Sequence, residues 1–597
     1  MKLLQYSIML LAVATTACKQ DFLQRTPQTN VTDETFLQNP TDLETYTNGL
    51  YSQIKANYTD LLSDNIALSN NDQNADVRTL LTGTLSPATV GGWNKSTWEP
   101  LRNINFMLGK ASKIQGDPAV INHYIGVARF LRANFYYTMV KRYGDAPWYS
   151  TVVGTSDEAL LYKAKDPRIL VVDSVMADLE FAARHIQPSR TDNTYVTKWS
   201  ALTLLSRVAL HEGTFRKYHT ELKLETTANA FLERAASASA EVISQGGFQI
   251  EGNSVNDFIK LFSSNNLSSN KEIIFLQRND KNLAVANNTH TVLDWQWALS
   301  SSLMDEFLMA DGTSFTDLKD YDKKEFVQVF ENRDPRLAAT IMPPGFKTSE
   351  NGNPYVTRPD FGGYLQIKFY PRDPALRGGW VLNYTDLPIM RYAEVLLNNA
   401  EAKAELGTLT QADLDNTINK LRTRVGMPAL LMTESNAKPD NYLSTRHPHV
   451  TGNNKGVILE IRRERRVELA CEGFRFDDLY RWKDGALLAK NPEGFYISGL
   501  GAIDVTGDGT PDIAILKDGD ETPLSGLSPS IKEKIVKFNI NSGNFYLSKE
   551  TSGRIMFNDD KANQRPRSFD EKKYYYFPIP LEQTILNPNL KQPEGWQ

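Results

Sequence analysis

The chain has 597 residues, 41% hydrophobic and 23% charged, with a net charge of −5 and no long basic run. Enough apolar mass is present for a sizeable core, and nucleic acid is excluded as an expected partner. The length points to about three to four domains by the usual size rule, although helical arrays depart from that rule.

The first element is a leader. Lys2 gives a short basic start, Ile8 to Ala14 is apolar, and Thr15-Thr16-Ala17 leads into Cys18. Residues 1–17 therefore read as a secretory signal peptide, too short to span a membrane. The Cys directly after small residues is expected to become the mature N-terminus and carry lipid, although Thr15 stands where such signals usually have Leu. No second apolar run reaches the length of a membrane helix. With Cys18 lipidated, Cys471 is left without a disulfide partner. Its string VELACEGF marks it as a small buried hydrophobe.

A polar cluster, Asn70-Asn71-Asp72-Gln73, comes next, then Trp93 after Gly91-Gly92. Sugars present an apolar face and a rim of hydroxyls, so their sites pair a flat ring with Asp, Asn, Gln and Arg. Trp93 is expected to project from its loop and stack on a sugar, with Asn71 and Asp72 bonding hydroxyls.

From about 120 to 245 the pattern is helical. Tyr124, Val127, Leu131, Phe135 and Thr138 share a face. Asp166 is the expected cap of a second helix, with Pro167 in its first turn and a stripe from Val172 through Val175, Leu179 and Ala182 to Ile186. A third follows Thr197, with Leu202, Leu205 and Ala209 inward. A fourth carries Phe231, Ala235, Ser239 and Val242 and stops at Gly246-Gly247. Starts about thirty residues apart, with Ala201, Ala209 and Ala235 allowing close approach, suggest tetratricopeptide-type stacking; an ordinary helical bundle is the alternative.

Residues 246–386 are rich in Asn, Ser, Gly and Pro, with strand-like Glu272 to Gln277. Long excursions of this kind are where binding is expected. Trp295 and Trp297 would face one side of a strand, Tyr364 follows Gly362-Gly363, and Trp380 follows Gly378-Gly379. The competing reading of each ring is packing under a loop. Helix returns at 389–406, 414–425 and 457–470. In the last, Glu460, Glu464, Glu468 and Glu472 share a face, with Arg462, Arg463, Arg465 and Arg466 among them. A balanced ion-pair network that locks the helix is favoured over an acid–base or metal site. His447 and His449 lack companion ligands.

The stretch 489–597 is again loop-rich. Asp504, Thr506, Asp508, Thr510 and Asp512 occupy alternate positions around Gly509, an oxygen-rich spacing that suits a structural calcium ion; Ile515 stands where a full EF-hand has Glu. The alternative is a plain surface turn. There is no G-x-S-x-G elbow, H-E-x-x-H, Walker loop or dinucleotide fingerprint, so no enzyme and no catalytic cofactor is expected.

Five strings carry a family resemblance. They are DFLQRTP (21–27), RFLRANFYYTMVKRYGDAPW (129–148), LPIMRYAEVLLNNAEAKAELG (387–407), EIRRERRVELACEGFRFDDLYRW (460–482) and YYYFPIPLEQTILNPNLKQ (574–592). In this order, across nearly the whole mature chain, they resemble the SusD/RagB family of outer-membrane lipoproteins of Bacteroidota. The resemblance implies a mainly α, tetratricopeptide-like scaffold with long irregular loops and minor β. It implies one SusD-like domain over 18–597, with scaffold at about 40–245 and 387–488, a ligand region at 246–386 and a C-terminal region at 489–597. It further implies a lipid-anchored surface protein that hands glycans to a SusC-type TonB-dependent transporter. An oligopeptide-binding member is the second reading and a secreted hydrolase the third. The calcium loop is not part of the resemblance.

Overall fold

The computed structural model describes residues 37–67, 75–111, 113–189, 192–540, 544–557 and 566–597. Cys18, the string 21–27 and the cluster Asn70 to Gln73 lie outside them.

The scaffold starts with α1 (Pro40–Leu50), α2 (Lys95–Ala111) and α3 (Pro118–Tyr143). Asp117 caps α3 by accepting from the Ala119 amide, and Gly144, at φ 74°, ends it in a conformation that costs an L-residue more. Asp145 accepts from the Arg168 amide. α4 (Arg168–His185) takes Pro167 as its cap, one residue later than the sequence pattern indicates, because Asp166 is turned back onto the Trp148 amide. α5 (Lys198–Tyr218) opens on a Thr197/Ser200 capping box, and α6 (Glu225–Gln245) follows. Each of α3 to α6 packs on a neighbour in the series: α3 on α4, α4 on α5 and α5 on α6. α5 is buried almost all round, so it has no clean apolar stripe. Two of its small polar residues bond within the helix, Ser206 to the Thr203 carbonyl at 2.8 Å and Thr214 to that of Leu210 at 2.7 Å, while Arg207 and Glu212 pair with Glu394 and Arg168 on neighbouring helices.

β1 (Ile273–Gln277) pairs antiparallel with β2 (Leu387–Arg391), and β2 runs straight into α7 (Tyr392–Leu406), which packs on α6. Residues 389–391, expected as helix, are therefore strand. The expected helix 414–425 is two pieces, α8 (Gln411–Asn416) and α9 (Ile418–Arg424), broken at Thr417 where ψ is −92°. α10 (Lys455–Glu468) and α11 (Arg475–Arg481) complete the helical part.

The C-terminal region holds more strand than its sequence indicates. One sheet has the order β3 (Tyr496–Ile497), β8 (Ser552–Phe557), β7 (Phe545–Lys549); the other runs β4 (Gly501–Ile503), β5 (Ile513–Lys517), β6 (Val536–Ile540). These strands are short, two to six residues, and only β5 is buried on both faces; β8 keeps a regular alternation, so it is their brevity that hides them.

There are two principal hydrophobic cores. One is built by the helices; the other gathers residues from 246–386 and the C-terminal sheets. α10 spans them, with Val457, Leu459 and Ile461 in the first and Val467, Ala470 and Cys471, just beyond it, in the second. Its glutamates are not chiefly neutralised by its own arginines. Glu464 meets Arg336 and Arg422, Glu468 meets Arg336, Arg391 and Arg424, and Glu472 meets Arg391 and Lys368, all within 2.9 Å. Arg465 and Arg466 instead reach Asp478 and Glu306. The network ties α10 to β2, α9 and the 334–368 segment, as a locking role requires. Buried pairs of this kind fix geometry more than they add stability, and losing one partner is costly.

Candidate functional site

Trp295 and Trp380 form the most exposed large aromatic surface among the described residues. Their rings stack at 5.3 Å between centroids and 15° between planes, and they are 47% and 60% exposed. Residues of this size are usually covered, so an exposed stacked pair calls for a reason.

The local chain explains how each ring is presented. Residues Thr291–Asp294 form one helical turn, and Trp295 closes it by donating to the Thr291 carbonyl at 3.0 Å. Gln296 then adopts φ 55° and reverses the backbone. Trp295 is left outside while Trp297 enters the second core, where it stacks on Tyr58 at 6.0 Å and 5°. The two tryptophans therefore do not share a strand face. On the opposing loop, Gly379 and Val381 take φ 102° and 53°, and the Leu382 amide closes a tight turn on the Gly379 carbonyl at 3.1 Å, with Trp380 at its tip.

A buried polar clamp holds the loops together. Asn287 and Asn383 exchange backbone hydrogen bonds, and the Asn383 side-chain oxygen accepts from the His290 amide at 2.8 Å. The Asn287 side chain donates to the Thr385 carbonyl at 2.8 Å, and the Val381 amide donates to Asn288. The ring pair is thus preorganised by groups that pattern reading missed. Their only sequence signal is the Asn287-Asn288 doublet and Asn383 near the two Trp strings.

Polar groups border the pair. Burial, then the charge of Asp294, raises the Tyr355 and Tyr370 phenols above their ordinary range, while Arg377 donates to the Tyr370 hydroxyl and acts the other way on it. Arg377 also donates to the Thr348 carbonyl. A flat apolar face beside a carboxylate, an amide, a guanidinium and phenols can stack on a pyranose and bond its hydroxyls.

The other sequence candidates fall elsewhere. Trp93 does not project: it is 4% exposed, at φ 56°, edge-on to Tyr143 at 4.7 Å and to Trp98 at 5.2 Å. Gly92, at φ 92°, turns the loop inward, and a Cβ there would lie 3.0 Å from the Tyr143 hydroxyl. Tyr364 is fully buried between Phe326 and Phe495, close to Gly363, which has no room for a side chain. Asn70, Asn71 and Asp72 lie outside the described residues. The last described residue before them, Ala67, donates to the Ala298 carbonyl, three residues after Trp295.

The C-terminal loop is closed by its own amides. Asp504 accepts from Gly507 and Gly509, Asp508 from Thr510, and Asp512 from Val505 and Thr506, at 2.6 to 2.9 Å. No three His, Cys, Asp or Glu side chains converge on a metal-binding geometry among the described residues; the loop's remaining oxygen donors are the Thr506 and Thr510 groups. His447 is buried on Asp484 at 2.6 Å while His449 is exposed, so the two do not converge. Cys471 is free and buried, its thiol pushed well up by burial and then by Asp60.

Residues 260–596 match the model of the SusD family. The chain belongs to this family. A SusD-like protein from Formosa agariphila, called P2, is 23% identical over 509 residues, covering 81% of this chain and 91% of that relative. Among solved structures, a SusD-like protein of Bacteroides fragilis is 21% identical, covers 96% of this chain and 100% of its own, and superposes with a TM-score of 0.67. A second B. fragilis structure, described as a SusD-like carbohydrate binding protein, is 20% identical, covers 93% and 100%, and also scores 0.67. These SusD-family structures share the mainly helical fold.

Proposed function

We propose that this SusD-family chain is a glycan-binding protein and that Trp295 and Trp380 form its principal contact with sugar. The observation that carries the reading is the exposed, stacked ring pair held by the buried Asn287–Asn383 clamp. The carbohydrate-binding description of a structural relative supports it. In the full reading, Cys18 carries the lipid that holds the protein on the outer surface of the outer membrane, where members of this family are found. The captured oligosaccharide passes to a SusC-type TonB-dependent transporter. A tether of this kind keeps the binder at high effective concentration beside the channel. The role is capture, not catalysis. Structural calcium at Asp504, Thr506, Asp508, Thr510 and Asp512 belongs to the same proposal, with no part in ligand contact.

The test is titration calorimetry of the soluble chain begun at Gln20 against panels of neutral oligosaccharides and of peptides. Binding of a glycan supports the reading. Binding of peptides alone makes the protein an oligopeptide binder, and cleavage of a bound glycan makes it a hydrolase.

A further inference from the structure

A concavity of about 400 Å³ has Ser300 and Ser301, five and six residues after Trp295, in its wall. Three tyrosines line it, Tyr321, Tyr442 and Tyr496, together with Asp305, Lys490 and Arg554. Tyr496 and Arg554 are direct cross-strand partners in β3 and β8, so their side chains leave the sheet on the same face. The volume is enough for one or two pyranose rings.

The charges here are unevenly satisfied. Asp64, also in the wall, is fully engaged by Arg446, Arg466 and Arg475 at 2.6, 3.2 and 2.8 Å. Arg554 approaches Asp305 only to 3.6 Å, beyond good hydrogen-bond distance. Among the described residues no carboxylate forms an ion pair with Lys490. Burial, then the neighbouring Arg446, disfavours its ammonium form, against the weaker opposing pull of Asp64 and Glu493, which also line the cavity. A cation in that position is stabilised by an incoming anion. The Asp305 carboxyl is pushed up to about 6 by burial against the opposing pull of Arg554, Arg333 and Arg446, so its charge opposes an anion less than that of an ordinary carboxylate as pH falls toward 6.

We infer that this cavity is a second saccharide subsite, selective for a sugar residue that bears a negative charge. Lys490 and Arg554 take the charge, and the tyrosine rings and hydroxyls take the pyranose. The inference rests on the glycan-binding reading and adds a ligand class to it.

Saturation-transfer NMR on the soluble chain tests it with three probes: glucuronate, glucose 6-sulfate and glucose. Glucuronate is expected to bind more tightly than glucose, and Lys490→Glu to remove that difference, because any glucose held on the ring pair does not involve Lys490. Binding of both anions supports a subsite for charge in general, and binding of glucuronate alone one for carboxylate. Lys490→Glu and Lys490→Gln should weaken glucuronate at least about tenfold with an unchanged melting curve, as loss of one charge-assisted contact requires. Equal binding of glucose, or undiminished glucuronate binding by Lys490→Glu, overturns the inference. A wild type that binds neutral oligosaccharides but not glucuronate also overturns it while leaving the glycan reading standing. If it binds neither, both fail.

Discussion

Whether an aromatic ring serves the ligand or the core is decided here at single residues by backbone sign. Trp93 and Trp295 both follow turn-forming sequence, and both have plausible polar neighbours. Positive φ at Gly92 and Trp93 aims the first indole at Tyr143; positive φ at Gln296, one residue after Trp295, leaves the second outside. No one-dimensional pattern distinguishes the two, because the sign of φ at a non-glycine residue is set by tertiary packing. Trp93→Ala should therefore lower stability by about 3–5 kcal/mol, as removal of a buried Trp does, and leave affinity of the folded fraction unchanged. Denaturant unfolding followed by a binding titration checks both halves.

At the scale of elements, the helices were the legible part. The cap at Thr197 and the stop at Gly246 are local chemistry, readable without neighbours. The partners of Glu464, Glu468 and Glu472 were not, since Arg336, Arg391, Arg422 and Lys368 come from distant segments. The same carboxylates set the acid limit of the fold. Burial alone would raise Glu401, but Arg481 bonds it and draws its carboxyl down to about 2 from an ordinary 4.5; Glu464, Glu468 and Glu472 are lowered in the same sense by their arginines. A carboxyl depressed in the folded state contributes stability that is complete above its unfolded value and lost as pH falls toward its folded one. For Glu401 that amounts to about 3 kcal/mol. Asp305, Asp60 and Asp386 have the opposite sign, raised by burial, and cost stability as pH rises through the carboxylate range, but the lowered carboxyls outnumber them. Melting temperature should thus fall steeply below about pH 4.5, and Glu401→Gln should flatten that limb. In the C-terminal loop, the calcium proposal requires that EDTA lower the melting temperature and that added calcium restore it, as mass action on the folded state demands. Asp504→Ala with Asp508→Ala should abolish the response. A melting curve that EDTA does not move leaves a turn closed by its own amides.

For the whole molecule, family and fold class were legible because five strings fall in order along the chain, and residues 260–596 bear the resemblance out. The two C-terminal sheets and the division into two cores bridged by α10 were not, because they arise from pairings across long sequence separations. The proposed lipid anchor rests on Cys18. Cys18→Ala should release the protein from the membrane fraction with its melting curve intact, and a tagged wild type extracted in mild detergent should bring a large β-barrel with it. Full retention of the Cys18→Ala protein in the membrane contradicts the anchor.

The central claim is that sugar is bound on Trp295 and Trp380. An anchor ring of this kind contributes on the order of 2 kcal/mol. Calorimetry of the oligosaccharide that binds wild type best, repeated on Trp295→Ala, Trp380→Ala and the double variant, tests it most directly. The predicted result is about thirtyfold weaker binding for each single variant, and no measurable binding for the pair, with melting temperatures within a degree or two of wild type. Wild-type affinity in the double variant would contradict the account.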